Sequence, residues 1–205
     1  MSKERGRFEL PPSAKRHAGF SLTELIVALA VAMVLMAVGL PAFLRAYHAY
    51  ELNNGARQVA DILRLARYEA IRLNTPVQCL VRVSSMSAGY TNVWVDSKPN
   101  LILDPTEKMV LLEPSGNLVD GGSVPGTSSL ISTAIGSFAV TAPSPTSSGV
   151  WFDARGAVKP PSAVNVFYLS SAIAPEAGYR AVLLMPAGSI EIWTASTAGN
   201  WQQLR

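Results

Sequence analysis

Few residues in this chain of 205 are equipped for chemistry, and the one in the least ordinary place is Glu24. It stands at the edge of the run Leu25 to Leu44, 20 residues without a charge. At 1.5 Å rise per residue such a run crosses roughly 30 Å of hydrocarbon as a helix. A carboxylate in or beside lipid costs on the order of 2.5–3.5 kcal/mol unless something pairs with it. Glu24 therefore calls for a cationic partner. A second reading stands beside this one, because Ser21-x-x-Glu24 ahead of an apolar run is also a capping box that satisfies free N–H groups at a helix start.

Enzymatic chemistry finds no comparable foothold. His17 lies in the basic leader, which leaves His48 and Cys79 as the remaining histidine and the single cysteine. One of each cannot build a structural zinc site. No G-x-S-x-G elbow accompanies His48, and the carboxylates Asp96, Asp104, Glu107, Glu113, Asp120, Asp153, Glu176 and Glu191 are scattered without a calcium-loop pattern. The expectation is no catalytic residue, no cofactor and no metal. Cys79 is expected to be a small buried hydrophobe.

Charge divides the chain. Residues 1–19 carry Lys3, Arg5, Arg7, Lys15 and Arg16 against Glu4 and Glu9, a net of +3, equal to the +3 of the whole chain. The remainder is neutral. Five basic residues ahead of the span, against Arg45 and Arg57 in the first 15 beyond it, place the leader in the cytoplasm and the C-terminal part outside. A secretory signal would have a shorter apolar core followed by its cleavage site. Here a charged segment ends in glycine, so a cut would precede the helix. No nucleic-acid surface is expected on this balance, since the bases beyond residue 100, Lys108, Arg155, Lys159, Arg180 and Arg205, form no run.

Gly19, Phe20 and Glu24 together resemble the signature of the type IV pilin and type II secretion pseudopilin superfamily: a glycine, a new N-terminal phenylalanine, and a glutamate four residues later. The resemblance implies that a membrane peptidase cuts after Gly19 and that the amine of Phe20 is then N-methylated. It also implies that the freed amine of an incoming subunit meets Glu24 of one already in a filament. The partners implied are the prepilin peptidase/N-methyltransferase, other pseudopilins or pilins, and an inner-membrane assembly platform. Tip subunits of the superfamily often lack this glutamate, so Glu24 argues against that position.

The elements that position Glu24 follow from periodicity. Gly39 and Pro41 weaken one turn of the apolar run, so a kink is expected around residues 37–41. From Arg45 to Leu73 the pattern turns amphipathic, with Leu52, Val59, Ile62, Leu63, Ala66, Ala70 and Leu73 on one face and Arg57, Asp61, Arg64, Tyr68 and Arg72 on the other. After Asn74-Thr75-Pro76 the period changes to two. Strands are expected at 77–83, 90–95, 108–112, 137–141, 150–153, 164–170, 179–185 and 189–193, with a hairpin at Pro186-Ala187-Gly188. The Gly/Pro/Ser-rich stretches 116–126 and 143–149 read as exposed loops.

Three stretches narrow the resemblance to the GspH/FimT branch of minor pseudopilins and minor pilins: Glu69 to Val77, Val150 to Gly156, and Tyr179 to Val182 leading to Gly188-Ser189-Ile190. In the second, a tight turn at Arg155-Gly156 is expected after a buried Trp151/Phe152 strand. The expected class is α+β and pilin-like: a long N-terminal helix, half transmembrane, packed on an antiparallel β-sheet domain. Its divisions are a cleaved leader (1–19), a transmembrane half-helix (20–44), an amphipathic half-helix (45–73) and a periplasmic β-rich domain (74–205). The expected function is a minor pseudopilin of a type II secretion system, a structural subunit of the periplasmic pseudopilus. The alternative is a type IV pilus minor pilin that acts in pilus assembly or DNA uptake.

Overall fold

A computed structural model describes residues 21–83, 89–143 and 147–204. The leader, residues 1–19 with Gly19 at its end, and Phe20 after it lie outside them. Helix α1, Leu22–Leu73, is the one long helix among the described residues. The chain divides into two compact units, residues 1–41 and 42–205.

In the first unit the described residues are helical from Leu22, and the large apolar side chains of this stretch are exposed, Leu25, Val27, Leu35 and Leu40 among them. Pro41 sits inside the helix.

In the second unit the amphipathic pattern determines which face of α1 is covered. Leu52, Ala56, Val59, Leu63, Ala66 and Ala70 are fully buried, while Arg57, Asp61, Arg64, Tyr68 and Arg72 are exposed. Each fully buried Leu or Val contributes about 1.5–3 kcal/mol. Leu73 departs from the expected stripe. It is exposed because it is the last helical residue, and Asn74 turns the chain with a left-handed φ of 51°.

The strands are β1 (Val77–Val83), β2 (Thr91–Asp96), β3 (Met109–Leu112), β4 (Asn117–Val119), β5 (Ala139–Thr141), β6 (Ser147–Phe152), β7 (Val158–Lys159), β8 (Ala163–Ser170), β9 (Tyr179–Leu184), β10 (Ile190–Ala195) and β11 (Trp201–Gln203). They form two sheets, one in the order β3-β2-β1-β6-β7 and the other β11-β10-β9-β8-β4, with β5 also paired to β8. All pairings are antiparallel except β5 with β8, where Ala139 lies opposite Ala163 in parallel. A crossover through β6 and β7 of the other sheet makes that parallel pairing possible.

The buried stripe of α1 shares one core with Val77, Cys79 and Val81 of β1, Phe152 of β6, and Phe167 and Leu184 of the second sheet. A second core lies on the other face of β8 and β9, where Val164, Val166 and Leu183 meet Val124, Leu130 and Ile135. This overturns the reading of 116–126 as an exposed loop. The stretch contains β4, and Leu118 and Val124 are buried because the segment covers the sheet. In 143–149, residues 147–149 begin β6, and 144–146 lie outside the described residues. Trp151 is only half-buried, whereas Phe152 is fully buried, since successive strand residues face opposite ways.

Gly55 lets α1 approach the turn ahead of β4 closely. A Cβ there would stand 2.6 Å from the carbonyl oxygen of Gly116. A mid-helix glycine costs about 1 kcal/mol relative to alanine, and the contact with Gly116 requires it.

Candidate assembly surfaces

The first surface is the exposed apolar stretch of α1. It is long and apolar enough to cross a membrane, and its most apolar part has no buried residue. At its start, Ser21 Oγ accepts the Glu24 N–H at 3.2 Å, and the Ser21 carbonyl accepts the Leu25 N–H at 3.1 Å. Ser21 is thus the N-cap. The Glu24 side chain is exposed, so capping by Ser21 and a role for Glu24 toward another molecule are compatible.

In the second unit, Phe43, Tyr47 and Tyr50 are exposed along one side of α1, with the Phe43 and Tyr47 rings stacked 6.5 Å apart. Tyr47 and Tyr50 also line a groove of about 250 Å³ together with Glu51, Leu111 and Glu113. The hydrogen bond to Glu51 and its charge hold the Tyr47 phenol above its usual pKa.

Two arginines fix this part of α1 to the sheets. Arg180 of β9 is 5% exposed, and its Nε donates to Asn53 Oδ1 on α1 at 2.5 Å. Its Nη1 donates to the Tyr179 carbonyl at 2.8 Å, and burial lowers the guanidinium pKa. A guanidinium buried in this way does not face solvent, where a phosphate could meet it. Arg67 Nη1 donates to the Gly188 carbonyl in the β9–β10 turn at 2.9 Å. Gly156, with φ +76°, lies against the same side chain, where a Cβ would stand 3.0 Å from Arg67 Cγ. The Gly156 turn is tied by Asp153, whose Oδ1 accepts the N–H groups of Arg155 and Ala157, both at 2.9 Å. These bonds pull the Asp153 pKa down.

Arg67 was not singled out from the sequence, although its place among Leu63, Ala66 and Ala70 puts a cation at the margin of the buried face. Asn53 carried no signal beyond being polar beside Leu52.

The remaining reactive groups are dispersed. Cys79 is buried, and burial pushes its thiol up to about 12. His48 Nδ1 lies 3.9 Å from Glu176 Oε1. Among the described residues, no three of His, Cys, Asp and Glu come together as metal ligands would.

Residues 14–40, which include Gly19, Phe20 and Glu24, match the prokaryotic N-terminal methylation motif. Residues 55–188 match the family described as type II transport protein GspH. No curated protein matches the chain. The crystal structure of the type IV minor pilin FimU of Pseudomonas aeruginosa strain PAO1 is similar at 15% identity and a TM-score of 0.42, covering 76% of this chain and 94% of that one. With the GspH match extending over more than half of its length and the methylation motif ahead of it, the chain belongs to the type II transport protein GspH family of pilin-like subunits.

Proposed function

We propose that this protein is a minor pseudopilin of a type II secretion system, a structural subunit of the periplasmic pseudopilus that serves protein export. The observation that carries the reading is the uncovered apolar stretch of α1 with one carboxylate, Glu24, at its start. Such a surface needs lipid before assembly and other apolar helices after it.

On this reading the peptidase cuts between Gly19 and Phe20 on the cytoplasmic side. Residues 20–44 span the inner membrane once, and the domain from residue 74 lies in the periplasm. Glu24 receives the amine of a neighbouring subunit. Neutralising a carboxylate that lipid penalises sets the register. Gly39 and Pro41 loosen the span so that it adapts as it leaves the bilayer.

Deletion of the gene, with export of secreted proteins measured beside DNA uptake and pilus display, tests the assignment. The expected result is folded cargo retained in the periplasm with DNA uptake unchanged. Intact export with loss of pili or of uptake would instead assign the protein to a type IV pilus.

A further inference from the structure

Two grooves lie beside α1 in the second unit, and they carry opposite charge. The first, of about 250 Å³, is lined by Tyr47, Tyr50, Glu51 and Glu113, with Leu111 of β3 at its wall. Tyr47 and Tyr50 are 48% and 64% exposed. Neither carboxylate belongs to an ion pair among the described residues. The hydrogen bond to Glu51 and the charges of Glu51 and Glu113 raise the Tyr47 pKa, which registers this unmatched negative charge. Two carboxylates beside two tyrosine rings suit a guanidinium, which pairs with the first and stacks on the second.

The second groove, of about 280 Å³, is where Arg57, Asp61 and Arg64 of α1 meet Ile192 and Leu204. Asp61 is taken by Arg64 at 2.6 Å. Arg57 is exposed and has no ion-pair partner among the described residues. This groove therefore offers an unmatched cation beside two aliphatic side chains. Arg57 follows Glu51 by six residues, which sets it about 9 Å further along the helix and about 120° around it. The acidic groove of its own chain is turned away from it.

We propose that the Tyr47/Tyr50/Glu51/Glu113 groove of one subunit takes Arg57 of a second copy of this chain, with Tyr50 against Ile192 and Leu204 of that copy. The inference rests on the filament-subunit reading above and deepens it. The contact shifts parallel copies by about 9 Å along the helix. A Phe20 amine meeting Glu24 of another copy requires a shift of four residues, about 6 Å, in the same sense. The length of an arginine side chain covers the difference. A contact between two different surfaces of one molecule is heterologous, and when the rotation does not close it propagates as an open filament.

Thiol crosslinking between full-length chains in the membrane tests this. In a Cys79→Ala background, Asn54→Cys in the acidic groove and Leu204→Cys in the basic one are placed on chains carrying different tags, produced together and joined by a short bismaleimide. The expected product is a heterodimer of the two, with neither variant forming a homodimer alone. Arg57→Glu in the Leu204→Cys chain should reduce the product about tenfold, since like charges then face each other. Glu51→Arg with Glu113→Arg in the Asn54→Cys chain should restore it. A crosslink between two Asn54→Cys chains, a crosslink from the acidic groove only to another protein, a yield indifferent to Arg57→Glu, or no heterodimer overturns the docking. A cysteine pair in the apolar helix, Val27→Cys with Val31→Cys, is measured in parallel. If the helices crosslink and the grooves do not, the docking alone falls; if neither pair crosslinks, the filament reading falls with it.

Discussion

Arg67 of α1 and Gly188 of the β9–β10 turn, 121 residues apart in sequence, are joined by an Nη1–H···O hydrogen bond of 2.9 Å. The bond ties the helix to a turn of one sheet, while Gly156, in a turn of the other, packs on the same arginine stem. Both glycines have φ near +80°, and a Cβ on Gly188 would stand 2.8 Å from Arg67 Nε.

Gly156→Ala and Gly188→Ala are therefore expected to destabilise the second unit by about 1–3 kcal/mol each, from left-handed strain and from contacts with Ile71 and Arg67 at Gly156 and with the Gly156 carbonyl and Arg67 at Gly188. Adding Arg67→Ala to Gly188→Ala should cost less than the two single changes together, since removing the side chain relieves the contact with Arg67 Nε and leaves only the 2.7 Å approach to the Gly156 carbonyl oxygen. Urea unfolding in detergent measures the cycle. Strict additivity would mean that Arg67 does not couple to the turn.

Arg180 is a buried cation whose described partners are an amide oxygen and backbone carbonyls. Asn53→Ala removes the acceptor of its Nε and is expected to cost about 1.5–3 kcal/mol, the range for a hydrogen bond to a charged group. Arg180→Met, which fills similar volume without a charge to desolvate, should be better tolerated than Asn53→Ala. Unfolding midpoints compare the two. The reverse order would mean that the guanidinium contributes net stability.

For Cys79 the sign follows from burial. Its folded pKa, near 12, lies above the ordinary thiol value of about 8.5, so the protonated thiol favours the folded state. That contribution is fully present below about pH 8.5 and is lost as pH rises toward 12. Cys79→Ala should flatten this alkaline loss, measured as unfolding free energy against pH. In the native protein the thiol should resist a thiol reagent at pH 8 and react once unfolded. Rapid native labelling would contradict its burial.

Much of this architecture is legible in the sequence where one signal dominates. Alternation after Pro76 gives β1 its bounds, Val77–Val83, and three-to-four spacing separates Leu63 and Ala66 from Arg64 and Tyr68. Glu24 stands out because a lone charge beside an apolar run has no cheap explanation. What escaped depends on contacts between distant segments. The Gly, Pro and Ser of 116–126 signal turns, yet Leu118 and Val124 cover sheet surface that no local pattern announces. Strands as short as β7 and β11 show no period. The burial of Arg180 and the contact of Gly55 with Gly116 depend on where α1 lies against the sheets.

The central claim, that Glu24 registers a processed subunit in a filament, is tested most directly by comparing wild type with Glu24→Ala for membrane residence and for crosslinking between apolar helices. N-terminal sequencing of the same membrane-extracted protein reads the processing step. The expected result is a chain beginning at Phe20 in both, equal membrane fractions, and helix crosslinks reduced at least tenfold in Glu24→Ala. A start at Met1, a cut beyond Leu44, or unchanged crosslinking in the variant would contradict the account.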